Sequence, residues 1–163
     1  MRTFSASASA VVAAPPPHVF GRLLAHDPAR FYPRSGIIPA VTAVHDATGS
    51  WDAAGRTRRL EQSDGGSVLE TIRVVEAPAR FAYDLTDFRG FFGVLVAGAH
   101  AEWRLSRADG GTRIHWTYSF TARPGRGPVV AAIVRLAWAG HMRRVLPPIA
   151  AWTAAHSQSI PTR

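Results

Sequence analysis

A few side chains able to act as acids, bases or hydrogen-bond partners fall where strand or helix periodicity turns them inward. Glu70 shares the two-residue parity of Val68, Ile72 and Val74, so it is expected to point with them into the interior. A buried carboxylate is costly unless paired or neutralised. Two readings follow: a cavity acid or base poised for enolisation or dehydration, or a structural partner for a neighbouring arginine or tyrosine. His141 lies on the stripe of Val130, Val134, Ala137, Trp138 and Val145, at helical spacing. There it either reaches a ligand or packs as a half-buried residue. Tyr83 shares a strand face with Phe81 and Leu85, and Tyr118 shares one with Ile114, Trp116 and Phe120. Both hydroxyls need partners when buried. Arg56 and Arg58 either meet a ligand carboxylate or line a solvated edge. The chain has no cysteine, which excludes a thiol nucleophile and a Cys-ligated metal. Metal-ligand spacing, serine-nucleophile motifs and phosphate-cradling glycine loops are absent. No cofactor and no metal are expected.

The elements that must position these residues are read from punctuation and period. Strand one is expected from about Thr3 to Ala13. Pro15, Pro16 and Pro17 stop it and open a short helix to about Ala25. Asp27 and Pro28 read as the cap and first residue of a second short helix through Phe31. Further strands are expected near Pro39–Asp46, Arg56–Gln62, Ser67–Val75, Arg80–Phe88, His100–Arg107 and Thr112–Ala122, joined by turns such as Asp64-Gly65-Gly66 and Asp109-Gly110-Gly111. Pro128 opens a last, apolar helix. Pro147 and Pro148 fall inside it, and interior proline costs about 3 kcal/mol. A kink is expected, or a stop near Val145 and a restart at Pro148. A curled antiparallel sheet closed by one late helix leaves a hole between them, and a hole lined by aromatics suits a small apolar molecule.

The 163 residues fit one domain, 1–163, with a sizeable core, and at 47% hydrophobic and 18% charged the chain is globular. Its net charge of +8 comes entirely from arginine, with no lysine. The arginines are mostly scattered and no nucleic-acid motif accompanies them, so a nucleic-acid partner is not expected. The serines that alternate through Phe4–Ala14 break any signal-peptide core. No apolar run reaches the roughly 20 residues of a membrane span. A cytoplasmic monomer or homodimer without an integral membrane segment is the expectation.

The element order, and the wording of Ala14–Leu24 (APPPHVFGRLL), Gly55–Gly65 (GRTRRLEQSDG), Arg80–Tyr83 (RFAY), Glu102–Leu105 (EWRL) and Gly111–Phe120 (GTRIHWTYSF), resemble the START-like (SRPBCC) superfamily in its polyketide cyclase/dehydrase-like branch. The resemblance covers nearly the whole chain. It implies an α+β helix-grip fold: a seven-stranded curved antiparallel sheet around a long C-terminal helix, with two short helices after strand one. Those motifs are turns and core strands, so they speak to fold more than to activity.

Strand parity then gives a wall. Tyr83, Leu85, Trp103, Trp116 and Tyr118 are expected to line a ligand site, with Val134 and Trp138 from the last helix. The apolar, glycine-spaced connection Gly90–Gly98 reads as a gate, with Phe91 and Phe92 over the entrance, or as extra strand packed on the helix. The leading expectation is a binder of a hydrophobic polyketide, lipid or aromatic metabolite. The alternative implied by the resemblance is a cofactor-free cyclase/aromatase that closes and dehydrates a poly-ketone, with Glu70, His141 and Tyr118 as its catalytic groups. A cationic surface docked on an acidic protein or membrane ranks last.

Overall fold

The computed structural model describes residues 1–155; residues 156–163 of the expected domain lie outside the described residues. Seven strands form one antiparallel sheet in the order β1-β7-β6-β5-β4-β3-β2. They are β1 (Thr3–Val12), β2 (Val41–His45), β3 (Thr57–Gln62), β4 (Ser67–Glu76), β5 (Arg80–Arg89), β6 (Val96–Ala108) and β7 (Gly111–Ala122). Two short helices, α1 (Pro16–Ala25) and α2 (Pro28–Phe31), follow β1. A single turn, α3 (Phe91–Leu95), links β5 to β6. The C-terminal helix runs from Gly127 to Ala155 as α4 (Gly127–Ile133), a π-helical turn (Val134–Trp138) and α5 (Ala139–Ala155). This is the helix-grip architecture.

Local chemistry accounts for the joints. Prolines occupy the first turns of α1, α2 and α4, where their missing N–H groups cost nothing. Asp27 caps α2 by accepting a hydrogen bond from the Ala29 amide at 2.9 Å. At the β6–β7 hairpin a Cβ on Gly111 would lie 2.0 Å from the Val12 carbonyl oxygen, and its φ is +150°, so only glycine lets β1 and the turn meet so closely.

The inner face carries the core. Phe81, Trp103, Trp116 and Ile114 are fully buried, and Trp103 stacks on Trp116 at 4.6 Å between centroids. The outer face carries ion pairs: Asp84 accepts from Arg73, Glu102 from Arg80, and Asp84 also meets His100. Two expectations need correction. Val74 was placed with Glu70 on the inner face, but the β4–β5 register shifts between Ile72 and Val74. Val75, not Val74, therefore packs on the core, because a bulge moves every later side chain across the sheet. The last helix neither stops at Val145 nor restarts at Pro148; α5 runs unbroken through both prolines. Pro147 and Pro148 are exposed, as are Arg143 and Arg144 four residues before them, so the two carbonyls left without amide partners face water. The departure from α-geometry lies earlier, at Val134–Trp138, where the Ala139 amide donates to the Val134 carbonyl five residues back.

No helix among the described residues is long and apolar enough to cross a membrane.

Candidate functional site

Between the inner face of the sheet and the C-terminal helix lies a pocket of about 600 Å³, a figure that includes open solvent at its mouth. The centre of a water molecule has about 60 Å³ of it to move in, so it is a narrow slot rather than an open bowl. Strand alternation supplies one wall: Leu60 from β3, Val68 and Glu70 from β4, Tyr83 and Leu85 from β5, Tyr118 and Phe120 from β7. The helix supplies Trp138 and His141, and Tyr32, Ile38 and Pro39 come from the segment after α2. Phe88 and Phe92 stand at the β5–α3 end.

Glu70 is 3% and Arg58 8% exposed. Register places them opposite one another on β4 and β3. Arg58 Nε donates to Glu70 Oε2 at 2.7 Å, and the guanidinium lies 3.9 Å from the centre of the Trp51 ring, a cation–π seat for the buried cation. One carboxylate oxygen is thus committed to the ion pair, while Glu70 still lines the pocket. Of the two readings of Glu70, the pairing with a neighbouring arginine is realised in the geometry. Its negative charge also reaches across the slot. Burial first, and Glu70 among the nearby groups, raises the phenols of Tyr32, Tyr83 and Tyr118 above their ordinary values. All three are therefore neutral hydrogen-bond donors at ordinary pH.

Tyr32 is anchored from behind. His26 Nδ1 meets the Leu23 carbonyl oxygen, which only accepts, so Nδ1 carries the proton. Nε2 is then the acceptor for the Tyr32 hydroxyl at 3.1 Å. Burial pulls the His26 imidazole down to about 4, which keeps it neutral in this role. His141 is also pulled down to about 4, by burial and then by Arg144. It is 2% exposed, stacks obliquely on Trp138 at 5.1 Å, and has no hydrogen-bond partner at Nδ1 among the described residues.

The sequence of the family described as polyketide cyclase/dehydrase and lipid transport matches residues 3–151. The chain belongs to this family. Solved structures with the same fold include norcoclaurine synthase from Thalictrum flavum, a point mutant in complex with a transition-state analogue, at 12% identity and a TM-score of 0.70 over 96% of this chain and 98% of that one. Ara h 8.0201 matches at 17% identity and a TM-score of 0.61, over 95% of this chain and all of that one. The di-domain ARO/CYC BexL from the BE-7585A biosynthetic pathway matches at 17% identity and a TM-score of 0.64; 98% of this chain covers 51% of that protein. No curated protein matches the sequence significantly.

Of the residues singled out in this family member's sequence, Glu70, Tyr83, Leu85, Phe92, Tyr118, Trp138 and His141 meet in the one pocket. Four others lie elsewhere. Trp103 and Trp116 are stacked in the core beneath the wall. Val134 borders a smaller void against Phe92 and Phe120. Phe91 is 51% exposed on the outer side of α3. That turn is docked rather than loose: Arg123 Nε donates to the Gly93 carbonyl at 2.8 Å, and a Cβ on Gly93 would lie 2.3 Å from the Phe88 carbonyl oxygen. Sequence reading missed Tyr32, His26 and Trp51. They sit in irregular or end-of-helix positions where no period assigns a face; the capped α2 turn ending at Tyr32 was the available signal. Among the described residues no cluster of His, Cys, Asp or Glu has the makings of a metal site.

Proposed function

We propose that this protein binds a small, largely apolar molecule in the slot between sheet and C-terminal helix. The observation that carries the reading is the slot itself, walled by Leu60, Val68, Leu85, Phe88, Phe92 and Phe120 and punctuated by a few polar groups, the usual make-up of a small-molecule site. Family membership supports it. Native mass spectrometry of the purified protein, followed by denaturing analysis of what dissociates, is the test. A stoichiometric apolar molecule supports the reading. Absence of any such molecule, together with no saturable binding of apolar fluorophores such as anilinonaphthalene sulfonate or N-phenylnaphthylamine, refutes it.

A second reading, cofactor-free cyclisation and dehydration of a poly-ketone, draws support from one observation: Glu70, Tyr118 and His141 face the same slot. Neutral His141 would take a proton next to a carbonyl, and Tyr118 would donate to the developing enolate oxygen. A 1,3-diketone such as 1-phenylbutane-1,3-dione in deuterated buffer reports on this by proton NMR. Faster exchange of its central protons with the protein, lost in His141→Phe and Tyr118→Phe, supports catalysis; exchange at the buffer rate argues for binding alone. If α3 gates the slot, opening it must break the hydrogen bond from Arg123 to the Gly93 carbonyl before Phe92 can leave the mouth.

A further inference from the structure

The two edges of the sheet are finished differently. β2 is short, its register with β3 shifts between Val41 and Ala43, and the Val41 amide donates to the Tyr32 carbonyl oxygen at 2.9 Å, so that edge is irregular and partly covered. β1 has none of these devices. It pairs residue for residue with β7 from Thr3 to Val12 with no shift, and it contains neither a charged residue nor a proline. The Ala122 amide donates to the Arg2 carbonyl oxygen at 2.8 Å, which sets the phase of the ladder. In an antiparallel pair alternate residues bond to the partner strand and those between them point away. The amides and carbonyls of Thr3, Ser5, Ser7, Ser9 and Val11 therefore face outward, and none of them has a hydrogen-bond partner among the described residues. Beside the start of this edge runs a groove, with Thr3–Ser7 on one wall and Ala131, Ala132, Arg135, Ala139 and Arg143 of the C-terminal helix on the other. The centre of a water molecule has about 770 Å³ to move in there, against about 60 Å³ in the slot, so a backbone has room. Arg135 and Arg143 are exposed and have no ion-pair partner among the described residues. No acidic residue occurs before Asp27 or after Asp109, so neither wall carries a carboxylate.

We propose that this groove takes an extended, acidic segment of a partner protein, which adds to β1 as an eighth strand. The outward amides and carbonyls of β1 match in spacing and direction the backbone of one more strand, and main-chain hydrogen bonds of this kind supply affinity without regard to sequence. Side chains of the added strand alternate, so every second one turns to the helix side, where Arg135 and Arg143 can each meet a carboxylate. Charge decides the occupant. A second copy of this chain would bring its own net charge of +8 and a second pair of these arginines to the groove, with no carboxylate on β1 to offset them. A neutral or basic segment would leave both arginines unanswered. The interaction is separate from the slot and holds whatever the slot binds.

Three acetylated heptapeptides test this by NMR titration and amide exchange: one alternating threonine with glutamate, one alternating threonine with lysine, and the glutamate peptide with its backbone amides methylated. At low salt the glutamate peptide is expected to bind at least about tenfold tighter than the lysine peptide, and raising the salt should weaken it. It should slow deuterium exchange at Ser5 and Ser7, while Ala6 and Ala8, already bonded to β7, change little. Arg135→Gln with Arg143→Gln should weaken binding about tenfold, as two exposed charge pairs allow. Ser5→Pro removes one outward amide and leaves the β7 ladder intact, and it should abolish binding, as should methylation of the peptide. Equal binding of the lysine and glutamate peptides, glutamate-peptide binding that survives both Ser5→Pro and methylation, or no binding at millimolar peptide overturns the proposal. Slow exchange at Ser5 and Ser7 in the free protein, together with a dimer mass in sedimentation, gives the edge to a second copy and overturns it as well. Should Ser5→Pro fail to fold, the methylated peptide decides on the unaltered protein.

Discussion

Glu70 and Arg58 show how a single buried charge constrains its surroundings. Their ion pair sits at 3% and 8% exposure, where removing one partner strands the other. Glu70→Ala is therefore expected to lower unfolding free energy by about 3 kcal/mol, read from urea denaturation. The double variant Arg58→Leu, Glu70→Leu should lose distinctly less, because no charge remains unpaired. Equal losses in both would show that packing, not charge, sets the cost. His26 makes a second prediction at this scale. Its folded value of about 4 lies below the 6.5 of the free side chain, so between these two values the unfolded chain binds more protons than the folded one. Stability is then full above about pH 6.5 and falls as pH drops toward 4. From pH 7 to pH 5 the loss from His26 alone is about 2 kcal/mol, and His141 acts in the same direction. The exposed His45 works the other way, raised by Glu61 and then Asp46. Urea midpoints at pH 7 and pH 5 check this: the limb should flatten in His26→Gln, His141→Gln, and an unchanged slope rules the assignment out.

At the scale of elements, the C-terminal helix is held by which face each irregularity occupies. Pro147 and Pro148 lie on the water side of α5, so they weaken the helix without ending it. Pro147→Ala and Pro148→Ala together are expected to raise stability by about 2 kcal/mol or more by restoring two amide donors. A thermal scan showing no gain would mean that the prolines relieve some strain of their own. The π-helical turn sits on the other side of the account. It adds a residue's worth of rotation and presents Trp138 and His141 to the slot, matching the tendency of such turns to occur at functional positions. The α3 turn is small and tied down by Arg123 and Gly93. If it gates the slot, its amides should exchange with deuterium measurably in the free protein and more slowly with N-phenylnaphthylamine bound; equal rates would remove the gate.

For the molecule as a whole, a slot that crosses the core couples ligand to fold. A ligand that binds only the folded protein stabilises it by about 2.7 kcal/mol at a concentration 100 times its Kd. Saturating N-phenylnaphthylamine should therefore raise the melting temperature by several degrees, and Phe120→Ala, which widens the slot beside Tyr118 and Trp138, should lower both stability and this increment. A melting temperature left unmoved at that concentration would mean that the compound does not bind the folded protein preferentially, and the slot would not be its site.

Much of this was legible in the residues. The seven strands, the two proline-opened helices and the inward face of Glu70, Tyr83 and Tyr118 followed from a period of two, which admits only two faces and leaves little room for error. Turn glycines and the Asp27 cap are equally local. What the sequence could not decide was long-range. Whether Trp103 and Trp116 line a slot or stack beneath it depends on how deep the sheet curls, and side-chain parity is the same in both cases. Arg58 was one of several arginines on or near β3 until register set it opposite Glu70. The bulge after Ile72 and the π-helical turn depend on how neighbouring elements pack, and the His26–Tyr32 hydrogen bond, though it spans only six residues, joins irregular positions whose side-chain directions no period assigns. Local propensity determined which faces exist and which residues they carry; only the packing of sheet on helix decided which of those faces enclose a space, because that outcome depends on the fit of many side chains at once rather than on the period of any one segment.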